Sequence, residues 1–191
     1  MNNDAILRVT AALKKRLEDA LNAASIPGTV FVGPLDDADA SGAKLILFLY
    51  RVVPSATLRN REHRVPSNNP PAVQVYRNAL PLDLYYLLTV GTLPGSSEET
   101  PLHSLGVAMQ TLQAETDLTI GHETAEISPE PLTTEEASRI WALFPNANYR
   151  TSVAYLATPV WIDPLLPDAF AARVAEDQLF AAHKPREEAP S

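Results

Sequence analysis

The side chains in this sequence best suited to hold a metal or shuttle a proton are its four histidines, His63, His103, His122 and His183. They are scattered, and no two stand at a spacing that would bring both onto one ion from a single element. His122 and Glu126 are four apart, one helical turn, but the residues around them carry no clear helical pattern. The carboxylate pairs Glu98-Glu99 and Glu135-Glu136 have the composition of an acid–base site. Both stand where helices are expected to begin, and acids there complement the helix dipole. Gly28 and Gly33 have the spacing of a phosphate-cradling loop, but Pro34 follows where Lys and then Ser or Thr are required. No serine lies in a nucleophile elbow. The stretch Arg59-Asn60-Arg61-Glu62-His63-Arg64 has the charge to touch phosphate but lacks the interleaved aromatics of a nucleic-acid platform. There is no cysteine, which removes thiol catalysis, disulfides and cysteine-held metals. On this reading the chain is not an enzyme and has no catalytic, cofactor-binding or metal site.

Behind these residues stand elements that the pattern defines. Residues 4–24 read as a helix, because Ile6, Val9, Leu13, Leu17, Leu21 and Ala24 recur at spacings of three and four. Asn3 or Asp4 can cap it, and Pro27-Gly28 stops it. Thr29–Val32 is a short strand. Lys44–Val53 is nearly continuously apolar, as in a strand covered on both faces. Residues 54–80 hold four prolines and read as a long loop with a short strand at Val73–Tyr76. Leu80–Val90 is a second buried strand, with Leu82, Leu84, Tyr86 and Leu88 on one face and Asp83, Tyr85, Leu87 and Thr89 on the other. Asp83 among apolar neighbours needs a partner. Arg51 is the candidate, which makes Arg51 and Asp83 a structural buried pair. Phe48, Tyr85, Leu87 and Trp141 are expected to be buried.

Thr100 caps a helix that opens with Pro101 and carries Leu102, Leu105, Met109 and Leu112 on its apolar face. Gly106 weakens that helix by about 1 kcal/mol relative to Ala unless something packs closely against it. Thr133-Thr134-Glu135-Glu136 is a capping box, with Leu132 and Ala137 placed as a staple. Ile140, Trp141 and Phe144 extend the face and Pro145 ends it. Tyr149–Asp163 is a long strand that Pro159 interrupts, which places a sheet edge or a bulge there. The chain thus divides into one domain, residues 1–163, and a Pro-, Ala- and Glu-rich arm, residues 164–191. Within the arm, residues 168–183 read as a helix whose thin stripe of Phe170, Val174 and Leu179 suits contact with a neighbour.

The length of 191 residues fits one domain, and 46% apolar residues are enough for a core. The net charge of −8 argues against nucleic acid as a partner. The N-terminus has no signal-peptide pattern, and the longest strongly apolar run, Leu45 to Tyr50, is too short to span a bilayer. Cytoplasmic synthesis without membrane insertion is the expectation. Charge is segregated along the chain. Six bases against one acid give +5 over residues 44–80, and ten acids against one base give −9 over residues 81–148. Two such patches can meet head to tail between identical subunits and close a ring.

Five blocks add a family resemblance: the N-terminal helix with Val9-Thr10 and Leu13, LILFLYRVVPSATLRN (45–60), LPLDLYYLLTVGT (80–92), LHSLGVAMQTLQ (102–113), and LTTEEASRIWALF with NYRTSVAYLATPVWID (132–163). In order and spacing they resemble the cap, or tail-terminator, proteins of phage-tail-like extracellular contractile injection systems of the antifeeding-prophage and virulence-cassette type. Pro159 departs from the unbroken final strand of that pattern. The resemblance implies an α+β domain, a mixed and largely antiparallel sheet flanked by about three helices. It implies a structural cap that closes the distal end of tube and sheath as a homo-hexameric ring, with no cofactor and with sheath and inner-tube proteins as partners. The particle would be assembled in the cytoplasm and could then leave the cell. Arg59, Arg61, Arg64, Phe170 and Val174 are the expected subunit or sheath contacts. The alternative is an adaptor that tethers the particle to a cargo or envelope partner through the arm.

Overall fold

The structure, a computed structural model, describes residues 3–66, 72–91 and 99–172. It is an α+β domain, as expected. Helix α1 runs Ala5–Ala23, and strands β1, Val30–Val32, and β2, Leu45–Pro54, follow around a single 3-10 turn at Ala38–Ala40. Strands β3, His63–Pro66, β4, Ala72–Tyr76, and β5, Leu80–Val90, lead to helix α2, Glu99–Ala114. A hairpin of β6, Asp117–Ile120, and β7, Glu123–Glu130, precedes helix α3, Thr134–Trp141. The described chain ends with β8, Ser152–Ile162, and β9, Ala169–Ala172. The six-stranded sheet has the order β1-β2-β5-β8-β7-β6, with β1 parallel to β2 and every other pair antiparallel. A second sheet has the order β3-β4-β9. Among the described residues no helix is long and apolar enough to cross a membrane.

The alternation in β5 decides how the layers stack. Leu82, Leu84, Tyr86 and Leu88 join Leu45, Leu47, Tyr155 and Ala157 under α1 and α2. The stripe Val9, Leu13, Leu17 and Leu21 of α1 lies in that same core. Leu87 and Ile46 face the other way, onto Leu35, Trp141 and Phe144. The strands at the sheet's centre are therefore covered on both sides. The expected cover on β2 holds only for its first half, because Arg51 and Val52 are exposed. Of the four residues expected to be buried, Leu87 and Trp141 are, whereas Phe48 and Tyr85 are half-buried.

Several elements differ from expectation, among them β3, which forms within the stretch 54–80 expected as loop and pairs with β4. Residues 117–130 form a hairpin whose alternating apolar residues, Leu118, Ala125 and Ile127, are buried. In α2 the buried residues are Ser104, Leu105, Ala108 and Leu112, while Leu102 is 48% and Met109 39% exposed. Small Ser104 and Ala108 let α2 lie close, and this turns the larger side chains outward. Residues 169–172, expected as helix, are a strand antiparallel to β4. The edge of β4 supplies backbone hydrogen-bond partners that outweigh the helical preference of an Ala-rich tetrapeptide. Pro159 sits in a central strand rather than at an edge. The irregularity it brings falls between Leu82 and Leu84 in the β5–β8 register, and the Thr158-Pro159 peptide is cis.

Two predictions arise from the core. A Cβ built at Gly106 meets nothing within 4 Å. Gly106→Ala should therefore stabilise the domain by about 1 kcal/mol and raise Tm by about 3 °C. An unchanged or lowered Tm would show that α2 is not helical there. The second concerns Tyr86, whose hydroxyl lies 2.8 Å from Thr10 Oγ1, itself a donor to Ile6 O at 2.7 Å. Burial pushes the phenol up to about 12, against a smaller lowering by the Thr10 bond. The folded state thus holds this proton more tightly than the unfolded chain. Its stabilisation is complete below about pH 10 and is lost as pH rises toward 12, by about 2 kcal/mol. Urea unfolding of wild type and Tyr86→Phe should show a stability difference that is flat to about pH 9 and then moves in favour of the variant. Parallel profiles would contradict this.

Candidate assembly surface

The basic stretch is carried on the turn between β2 and β3. The buried Ser55 anchors its start, its N–H donating to Pro81 O at 2.8 Å, and Arg61 N donates to Leu58 O at 2.9 Å. Arg59, Arg61 and Arg64 are all exposed. Glu62 serves two of the neighbouring cations, with Arg64 Nη2 at 3.1 Å and Arg77 Nε at 3.5 Å. Arg59 and Arg61 make no ion pair among the described residues. The structure thus places Arg59 and Arg61 on the exposed β2–β3 connection and Arg64 in β3, at its end. Phe170 lies in β9 opposite Gln74 of β4, and Val174 lies outside the described residues. The β9 end is fastened by Asp168, which accepts from Arg77 N at 2.7 Å and donates its own N–H to Val75 O at 2.9 Å.

Arg51 and Asp83 are not a buried pair. A register shift between Leu49 and Arg51 sets Arg51 opposite Tyr85 and leaves Asp83 across from Val53. The exposed guanidinium lies 4.9 Å from the Tyr85 ring centroid, a cation–π contact. Asp83 instead accepts a hydrogen bond from Thr158 Oγ1 at the irregularity of β8. The partner that Asp83 requires is thus supplied by a hydroxyl on the other neighbouring strand.

Arg51 also lines a cleft of about 200 Å³ with Tyr50, Tyr85, Glu130, Glu136 and Arg139. Burial, then the nearby Glu130 carboxylate, raises the Tyr50 phenol above its usual range. Glu136 is held below the ordinary carboxylate value by the Thr133 backbone and side-chain bonds of the capping box. Beside it, a groove of about 800 Å³ runs between α3 and the start of β8, walled by Pro131, Leu132, Ala137, Trp141, Tyr149 and Val153. Arg150, whose guanidinium lies 5.9 Å from the Trp141 ring centroid, donates to Val90 O and Leu35 O at 3.2 Å each. Burial lowers its pKa from the usual guanidinium value.

Sequence spacing gave no sign of one further grouping. His63 of β3, Glu123 of β7 and Asp163 after β8 are brought together from three elements, with one donor atom from each within 4.8 Å of the others. His63 Nδ1 and Asp163 Oδ1 are 2.6 Å apart, and the Trp161 ring stacks on the imidazole at 4.6 Å. Sixty or forty residues separate these groups along the chain, and only the hairpin at 117–130 makes the third one available.

The profile of the Pvc16 N-terminal domain family matches residues 8–176. No curated protein sequence matches the chain. Among solved structures, the chain is similar to the sheath/tube terminator of the extracellular contractile injection system PVC, seen by cryo-EM in the extended state. That match has a TM-score of 0.60 and 18% identity and covers 97% of this chain and 64% of that one. It is also similar to the tube-terminating cap of the anti-feeding prophage, with a TM-score of 0.60 and 21% identity over 89% of this chain and 59% of that one. The chain therefore spans about three-fifths of the length of each.

Proposed function

The chain belongs to the Pvc16 N-terminal domain family, and from that premise we propose that it is a structural cap, or tail terminator, of a contractile injection system. It closes the distal end of the inner tube and sheath, ends polymerisation and holds the last sheath ring. The observation that carries this reading is the shared fold: nearly the whole described chain superposes on a protein known as a sheath/tube terminator, and most of it on a tube-terminating cap. Such a cap works through contact surfaces, so no reacting group is needed. The segregated charge supports self-association as a ring, six copies in the tail-like geometry, with basic and acidic patches of neighbours in contact. Arg59 and Arg61 on the exposed β2–β3 connection, with the exposed Arg64 of β3, supply the basic side. Sheath and tube proteins are the further partners. Assembly takes place in the cytoplasm, before the particle is released.

The test is negative-stain microscopy of injection particles from cells lacking this chain, with lengths recorded. Missing sheaths, or open-ended tubes of uncontrolled length, are the expected result. Capped particles of normal length in the absence of this chain would sink the proposal and favour a tethering role instead.

A further inference from the structure

We propose that His63, Glu123 and Asp163 form a binding site for a divalent transition-metal ion of the zinc type, and that the ion clips the small sheet to the large one. The three donors come from β3, the start of β7 and the residue after β8, so one ion would fasten β3 of the small sheet to the paired strands β7 and β8 of the large one. One imidazole nitrogen with two carboxylates is a donor set suited to Zn²⁺, whereas Ca²⁺ and Mg²⁺ prefer oxygen alone. Two carboxylates brought this close repel each other, and a divalent ion cancels both charges.

The geometry is close to that of a site. The donor atoms lie at most 4.8 Å apart, and the edge of a tetrahedron of zinc bonds is about 3.4 Å. The Glu123 side chain has to move inward, and the 2.6 Å contact between His63 and Asp163 has to open slightly. His63 is 8% exposed and its ring is fixed by the Trp161 stack, so the least adaptable ligand is already oriented. Its wall also borders a cleft of about 180 Å³ shared with Glu123 and His122. That is an entry path with room for water to complete the coordination.

The experiment uses the untagged full chain, stripped with chelator and titrated with ZnCl₂ by calorimetry, with Tm read in parallel. Expected are one equivalent bound with a Kd of about 10 µM or tighter and a Tm that rises with free Zn²⁺. Glu123→Gln keeps the shape of the hairpin and should weaken binding by about tenfold or more, with the metal-free variant still folded by circular dichroism. His63→Asn should abolish binding; if it does not fold, Glu123→Gln decides alone. No saturable binding at about 100 µM Zn²⁺, or equal binding by wild type and Glu123→Gln, overturns the proposal.

Discussion

Replacing Gly91 by alanine should lower Tm by about 10 °C. The added Cβ would lie 1.7 Å from the carbonyl oxygen of Ala43 and 2.6 Å from its carbonyl carbon. Both are backbone atoms at the entry to β2, so no rotamer change relieves the overlap. The two segments are tied by Gly91 N donating to Lys44 O at 2.9 Å. The Val90 carbonyl next door accepts from Arg150, and Val90 N donates to Thr151 O at 3.4 Å. Moving Gly91 away thus strains both neighbours of β5 at once. A clash that the surroundings cannot absorb belongs with the rare substitutions costing about 4 kcal/mol or more, and at this chain length each kcal/mol is worth about 2–4 °C. Thermal unfolding of Gly91→Ala beside Gly106→Ala gives the comparison: the same chemical change, opposite signs. A Tm within about 2 °C of wild type for Gly91→Ala would show that the β2–β5 approach is looser than the structure has it.

The second large effect is on assembly rather than folding. Arg59→Glu with Arg61→Glu changes the charge of one exposed turn by four units. Neither arginine has an acid partner among the described residues to lose, so the monomer's Tm should be unchanged. If the turn meets an acidic surface of a neighbouring subunit or the sheath, like charges then oppose each other across that contact. The concentration needed for capping should rise by about 100-fold, equivalent to about 2.7 kcal/mol. Complementation of cells lacking the chain, scored by the fraction of capped particles, reads this directly. The double Lys variant should behave as wild type, because charge rather than the guanidinium fork is being tested. Unimpaired capping by the double Glu variant would mean that the turn faces solvent.

What could be read in advance follows physical lines. The α1 stripe, the alternation in β5 and the Thr133–Glu136 capping box are local patterns, and each appears where the spacing puts it. The β6–β7 hairpin was not legible. Its strands alternate over only a few residues, and the outward positions are filled by Asp117 and Glu126, which swamp the short apolar signal of Leu118, Ala125 and Ile127. The Arg51–Asp83 pairing failed because register depends on two irregularities that no single strand announces. The His63, Glu123 and Asp163 grouping is invisible for a related reason: its members meet only when three separate pairings are in place. The three arginines were legible as an exposed basic stretch, though not that Arg64 falls in β3, and what they touch depends on another molecule.

The order β1-β2-β5-β8-β7-β6 has a consequence for synthesis. Strand β5, at Leu80–Val90, is completed on one side by β2, already made, and on the other by β8, at Ser152–Ile162. Ribosomes add about 5–20 residues each second, so for several seconds the nascent chain carries Leu84, Tyr86 and Leu88 on a strand with one open edge. An open apolar edge is a template for pairing with other chains. Sheets closed by such distant partners also form slowly. Translation stalled before residue 152 should therefore yield insoluble fragments, and holdase chaperones should be most needed in that interval.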